Sequence, residues 1–171
     1  MMPALAALPA LVFLGLTLTA AVEDALSFTI PNWISAALLA AFPFAALVVG
    51  MPLASAVMNL GVGAAALIAG MGMFAMRWVG GGDAKLLAAV CLWLGPPALG
   101  LFLLATAMAG GGLAILLMTL RSAQVRPLIL VSPRWISRLA DPGQGVPYGV
   151  AIAIGALVAF PQTLFGAGFG F

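Results

Sequence analysis

The stretch Val79-Gly80-Gly81-Gly82-Asp83-Ala84-Lys85-Leu86 is the one the rest of this chain is organised around. A carboxylate and an ammonium stand beside three consecutive glycines. Glycine lacks a Cβ, admits backbone conformations that other residues avoid, and lets a second backbone come close. Asp83 would lie at the mouth of the next helix, where the positive end of the macrodipole favours an anion. The plain alternative is a turn between two helices, with Asp83 as an N-cap. Deciding between them needs a second reactive group. The chain has only four acids, and the others are Glu23, Asp24 and Asp141. It has no histidine and a single cysteine, Cys91. Histidine catalysis, histidine metal ligation, an internal disulfide and a multi-cysteine zinc site are therefore excluded. A serine nucleophile with Lys85 as base has no serine nearby in sequence. A pair of carboxylates remains the best-supported chemistry, with no metal and no cofactor. Two carboxylates in one site do not both ionise easily, so one acts as base while the other keeps its proton. Such a pair activates water against a peptide carbonyl.

The elements that must position these groups are membrane helices. Hydrophobic residues make up 65% of the chain and charged residues 6%, against about 25% charged in a soluble domain. The expected fold is all-α, a polytopic integral membrane protein forming one domain over residues 1–171. A spanning helix needs about 20 mostly apolar residues. Candidates run over Pro3–Val22, Pro31–Gly50, Ala54–Trp78, Asp83 to the Gly95-Pro96-Pro97 stop, Ala98–Leu120, and Tyr148–Phe165. That is about six spans. No Lys or Arg precedes Glu23, so the first is expected to be retained rather than cleaved as a signal peptide. Gly61, Gly63, Ala64, Gly70 and Gly72 suggest close packing of the third helix. Gly110-Gly111-Gly112 suggests a thin face or a kink in the fifth. Between Arg126 and Leu139, the run Pro133-Arg134-Trp135-Ile136 with Arg138 reads equally as an interfacial amphipathic helix or as a solvated loop.

Six spans put Arg77, Lys85, Arg121, Arg126, Arg134 and Arg138 on one side, and these are all the basic residues. The turns near Met51 and Pro96 carry none. By the positive-inside rule the basic side is cytoplasmic and both termini lie on the far side. Asp24 closes the first helix and Asp83 opens the fourth, so both fall at the cytoplasmic boundary. If those helices are neighbours, the two acids converge. Ionisable residues at a bundle edge are functional candidates. Solvated helix ends remain the alternative, and topology alone favours neither. The net charge of +2 gives no sign of a nucleic-acid partner.

Three motifs in order shift that balance. Asp24 is followed, after Ala25 to Thr29, by Ile30-Pro31-Asn32. The second acid lies in Gly80-Gly81-Gly82-Asp83-Ala84-Lys85-Leu86, and the last span opens with Pro147-Tyr148-Gly149-Val150-Ala151-Ile152. Together they resemble the type IV prepilin peptidase family, most closely the short form associated with Flp/Tad-type pili, over nearly the whole chain. The resemblance implies a multi-pass aspartic endopeptidase of the bacterial inner (cytoplasmic) membrane. Its partners would be a prepilin or pseudopilin substrate and the lipid bilayer, and a homo-oligomer is compatible with it. By position Asp24 and Asp83 are its catalytic residues, and Gly80 and Gly82 are the glycines of its Gly-x-Gly-Asp motif. Lys85 fills the lysine position after the motif, most simply as a helix-end anchor. Pro31 and Asn32 shape a helix entry, and Pro147 and Tyr148 fix the last helix near the site. Short-form members often carry basic residues before Ile-Pro-Asn, where this chain has Ala25-Leu26-Ser27-Phe28-Thr29. The longer members' cysteine-bearing N-terminal region is missing, so peptidase activity is expected and methylation is left unsupported.

Two rivals define the contrast. An intramembrane protease of the presenilin type would place its first aspartate inside a span, after tyrosine; here Glu23 precedes Asp24 at a helix end. A non-catalytic scaffold or small ion-coupled transporter would more often carry its carboxylate near mid-membrane.

Overall fold

The computed structural model describes residues 3–126, 137, 139, 141 and 143–167. Its regular structure is helical: α1 (Pro3–Ser27), α2 (Asn32–Val48), α3 (Leu53–Ala75), α4 (Gly81–Leu120) and α5 (Tyr148–Ala159), closed by a 3₁₀ turn at Phe160–Gln162. Three helical stretches are long and apolar enough to cross a membrane: Ala7–Ser27, Leu53–Ala75 and Gly81–Leu120. Two shorter apolar helices accompany them. Most of the Arg126–Leu139 stretch lies outside the described residues, so its conformation is not assigned.

Helix α4 spans 40 residues and holds both the fourth and the fifth expected spans. A straight helix of that length would measure about 60 Å, twice the hydrocarbon core. It is not straight. Gly95 has φ 64° and ψ −175°, a left-handed conformation that only glycine adopts cheaply. The chain doubles back there: Asp83 from the first arm shares a cavity with Tyr148, and Gly110 from the second arm packs against the Tyr148 ring. The five helices described, rather than six, therefore still give the predicted reversal at Gly95-Pro96-Pro97. The last helix is shorter than expected, stopping at Ala159 just before Pro161.

The break has a stated chemical repair. Pro96 has no N–H, so the Leu92 carbonyl loses its i+4 partner. The buried Asn59 amide from α3 donates to that carbonyl at 3.0 Å. Asn59 also lies against Gly95, leaving no room for a Cβ. Asn59→Ala strands a buried carbonyl and is expected to cost about 1–3 kcal/mol, read as a lower thermal midpoint in detergent with the site geometry intact.

Small residues set how closely the helices approach. A Cβ on Gly63 would fall 2.9 Å from Leu92 Cβ, and one on Gly70 would fall 3.1 Å from Ala84 Cβ. Gly61 and Gly72 face open space, so only part of the expected small-residue set makes contacts. Likewise Gly110 packs against Tyr148, while Gly111 and Gly112 meet nothing and the helix continues through them. An aromatic cluster of Phe13, Phe42, Trp93, Phe160 and Phe165 holds the core, with Phe13 stacked on Trp93 at 5.3 Å. The Trp93 indole N–H donates to the Leu38 carbonyl at 2.9 Å, so this large buried ring leaves no polar atom unpaired.

Candidate active site

Asp24 lies on the last turn of α1 and is 4% exposed. A buried carboxylate needs hydrogen-bond donors. It finds them at the start of α5, whose first-turn amides lack partners within their own helix. The Gly149 N–H donates to Asp24 Oδ2 at 2.6 Å, and the Val150 amide faces the same carboxylate. Glycine is required at 149 by space. A Cβ there would lie 2.9 Å from Asp24 Oδ2, 3.0 Å from Asp24 Cβ and 2.8 Å from Ile30 Cδ1.

Asp83 lies in the first turn of α4. The helix starts two residues earlier than its sequence position suggested: Gly80 is the N-cap and Asp83 is the third helical residue. Its Oδ2 accepts the Gly80 N–H at 3.1 Å, so it caps the helix by reaching back. The three glycines show the expected close approach of a second backbone but not the expected backbone angles. None has a positive φ, and Gly81 and Gly82 are helical. Their value is proximity. A Cβ on Gly80 would stand 2.8 Å from Asp83 Oδ2, and one on Gly82 would stand 3.1 Å from both Cβ and the carbonyl oxygen of Ile30.

The two aspartates open onto one cavity of about 1070 Å³, shared with Phe28, Thr29, Ile30, Arg77 and Tyr148 among others. They meet there although α1 touches α4 only lightly and packs mainly on α2 and α5. Ile30 makes the connection. It is buried, and it touches Gly82 on the Asp83 side and Gly149 on the Asp24 side. Its bulk sets the separation of the two carboxyl-bearing elements. Sequence reasoning treated Ile30 only as part of a motif and gave Gly149 no individual role. The signals were there: an apolar residue fixed before Pro-Asn, and a glycine second in a helix that follows proline.

The remaining expected residues surround the pair. Lys85 Nζ donates to Asn32 Oδ1 at 2.8 Å and ties α4 to the first residue of α2. It does not line the aspartate cavity. Lys85→Ala removes an exposed tie worth about 1 kcal/mol. The expected result is a slightly lower thermal midpoint with the protein's activity retained. Pro31 caps α2 in an extended conformation. Tyr148 lines the cavity, with its ring against Gly110. Arg121 donates to the carbonyls of Leu139 and Gly145 at 3.0 Å each, anchoring the segment that enters α5. Glu23 is exposed and lines no part of the aspartate cavity, and neither does Asp141. Among the described residues no cluster of three potential metal ligands exists.

A second groove, of about 510 Å³, lies between α2, α3 and the first arm of α4. Its lining is mostly apolar, with Asn32, Ser35 and Lys85 as its polar members, and includes neither aspartate.

The fold and this cavity define a multi-pass helical membrane protein with two carboxylates gathered at one end of its bundle. A sequence model described as the Type IV leader peptidase family matches residues 11–115, which include both aspartates, and the chain belongs to that family. No curated protein matches it. No solved structure matches it either. Membership places the chain among membrane peptidases that act on a protein substrate.

Proposed function

We infer that this chain is an aspartic endopeptidase. It cuts the basic leader from type IV prepilin-like proteins at the cytoplasmic face of the bacterial inner membrane. The observation that carries this reading is the convergence of Asp24 and Asp83 on one cavity, each held by a backbone amide. A substrate's hydrophobic helix lies against the bundle in the bilayer, and its scissile peptide enters the cavity. One aspartate, ionised, takes a proton from water as the water oxygen bonds to the carbonyl carbon. The other, protonated, donates to the carbonyl oxygen. Collapse of the tetrahedral intermediate breaks the C–N bond: the proton held by the base passes to the departing amine, and the second aspartate takes back a proton from a hydroxyl of the intermediate. Amide tethers at both carboxylates keep the pair oriented through the cycle, so little reorganisation is needed at the moment of reaction. Arg77, Lys85 and Arg121 gather at the same end of the bundle as the aspartates, which supports a cytoplasmic site.

The test is co-expression with a prepilin bearing a basic leader, a glycine and a hydrophobic helix, read by the mass of the product. Cleavage by the native chain, lost in both Asp24→Asn and Asp83→Asn while each variant stays in the membrane, supports the reading. Cleavage that survives both changes removes it. Intact processing with loss of ion flux in the same variants would instead favour the transporter alternative.

A further inference from the structure

Two non-glycine residues in the described chain have a left-handed backbone, Phe28 at φ 55° and Arg77 at φ 61°. Both line the aspartate cavity. This conformation crowds the Cβ of any residue but glycine. Such strain persists where the surrounding structure holds it, and it collects at functional sites.

The chain contains its own comparison. Helix α2 ends with Gly50 left-handed, its N–H donating to the Leu47 carbonyl and the Met51 N–H donating to the Ala46 carbonyl. Helix α3 ends in the same way, with the Arg77 N–H on the Phe74 carbonyl and the Trp78 N–H on the Met73 carbonyl. Both are the usual glycine-favouring helix stop. Away from the aspartates the stop uses glycine. Beside them it uses arginine. The Phe28 turn is held comparably: its N–H donates to the Asp24 carbonyl at 2.8 Å, and the flanking Ser27 and Thr29 hydroxyls lie 2.9 Å apart. The backbone bonds that hold the two turns use neither the Phe28 nor the Arg77 side chain, and Arg77 is exposed. Among the described residues lining the cavity, Arg77 is the sole cation.

Resting on the peptidase reading above, we propose that Phe28 and Arg77 are specificity-determining residues, held at the cavity rim to grip the substrate polypeptide on either side of the aspartates. The Phe28 ring packs on an apolar substrate side chain. The Arg77 guanidinium, a planar fork of donors, binds carbonyl or carboxylate oxygens of the substrate chain. The strained backbone aims both side chains at the substrate, which a relaxed glycine turn would not do.

The experiment uses the full-length protein in detergent with a synthetic substrate of basic leader, glycine and hydrophobic helix. Native chain, Arg77→Gly, Phe28→Gly and Arg77→Lys are compared for KM, kcat and thermal midpoint, with Gly50→Ala as the remote control. Relief of strain raises the midpoint of Arg77→Gly and Phe28→Gly by about 2–4 °C. Loss of the grip raises their KM by about tenfold with kcat near native. Arg77→Lys keeps the strain and the charge but loses the fork, so its KM rises as well. Gly50→Ala lowers the midpoint and leaves KM alone. A native KM in Arg77→Gly and Phe28→Gly, with cleavage still dependent on Asp24, would overturn this assignment and leave the peptidase reading standing. Cleavage independent of Asp24 would remove both.

Discussion

Asp24→Asn and Asp83→Asn are each expected to lower the rate of leader cleavage by roughly 10³-fold or more. The substitution is nearly isosteric, so each amide tether retains an oxygen to bond. Asn cannot exchange a proton with water or with the leaving amine, and so the acid–base step fails. In the proposed mechanism the two carboxylates work as a unit, so the double variant is expected to be about as slow as either single one rather than the product of the two. The measurement is single-turnover cleavage followed by product mass, with binding of uncleaved substrate as a control. Retained binding beside a lost rate marks a defect in chemistry. A rate within tenfold of native in either variant would show that the residue is not part of the reaction.

Gly149→Ala is the second large effect, and it leaves both carboxyl groups chemically unchanged. The added methyl would stand 2.9 Å from Asp24 Oδ2, closer than real Cβ atoms come, and 3.0 Å from Asp24 Cβ. Asp24 must move, and its 2.6 Å bond to the Gly149 amide lengthens or breaks. Displacement of a reacting group by about 1 Å costs on the order of 10²-fold in rate. The expected phenotype is a fall in kcat of that order, with substrate still bound. Ile30→Ala probes the same contact from the other side. It removes the spacer between Gly82 and Gly149, and its expected effect is a smaller loss of rate together with a lower thermal midpoint. Full activity in Gly149→Ala would mean that the Asp24 carboxylate needs no fixed position.

Much of this was legible without coordinates. Composition and the length of the apolar runs pointed to a helical membrane protein, because such runs satisfy their backbone polar groups within a helix when no water is available. The short residue inventory, with four acids and no histidine, made a pair of carboxylates the chemistry best supported by sequence. The spans placed Asp24 and Asp83 at one end, and the Gly95-Pro96-Pro97 stop marked the reversal. These are local properties, readable from windows of neighbouring residues.

Only the tertiary structure decided the rest, because it depends on groups far apart in the chain. Asp24 is tethered by an amide 125 residues away. The Leu92 carbonyl freed by Pro96 is paired by Asn59, 33 residues earlier. The glycines before Asp83, expected to supply unusual backbone angles, instead supply clearance for Ile30 and for the Asp83 carboxylate itself. The unusual angles belong to Phe28 and Arg77, where no glycine marks them. Hydropathy and spacing can state which residues face the same end of a bundle. Which of them touch is fixed by packing, since a Cβ either fits between two helices or it does not.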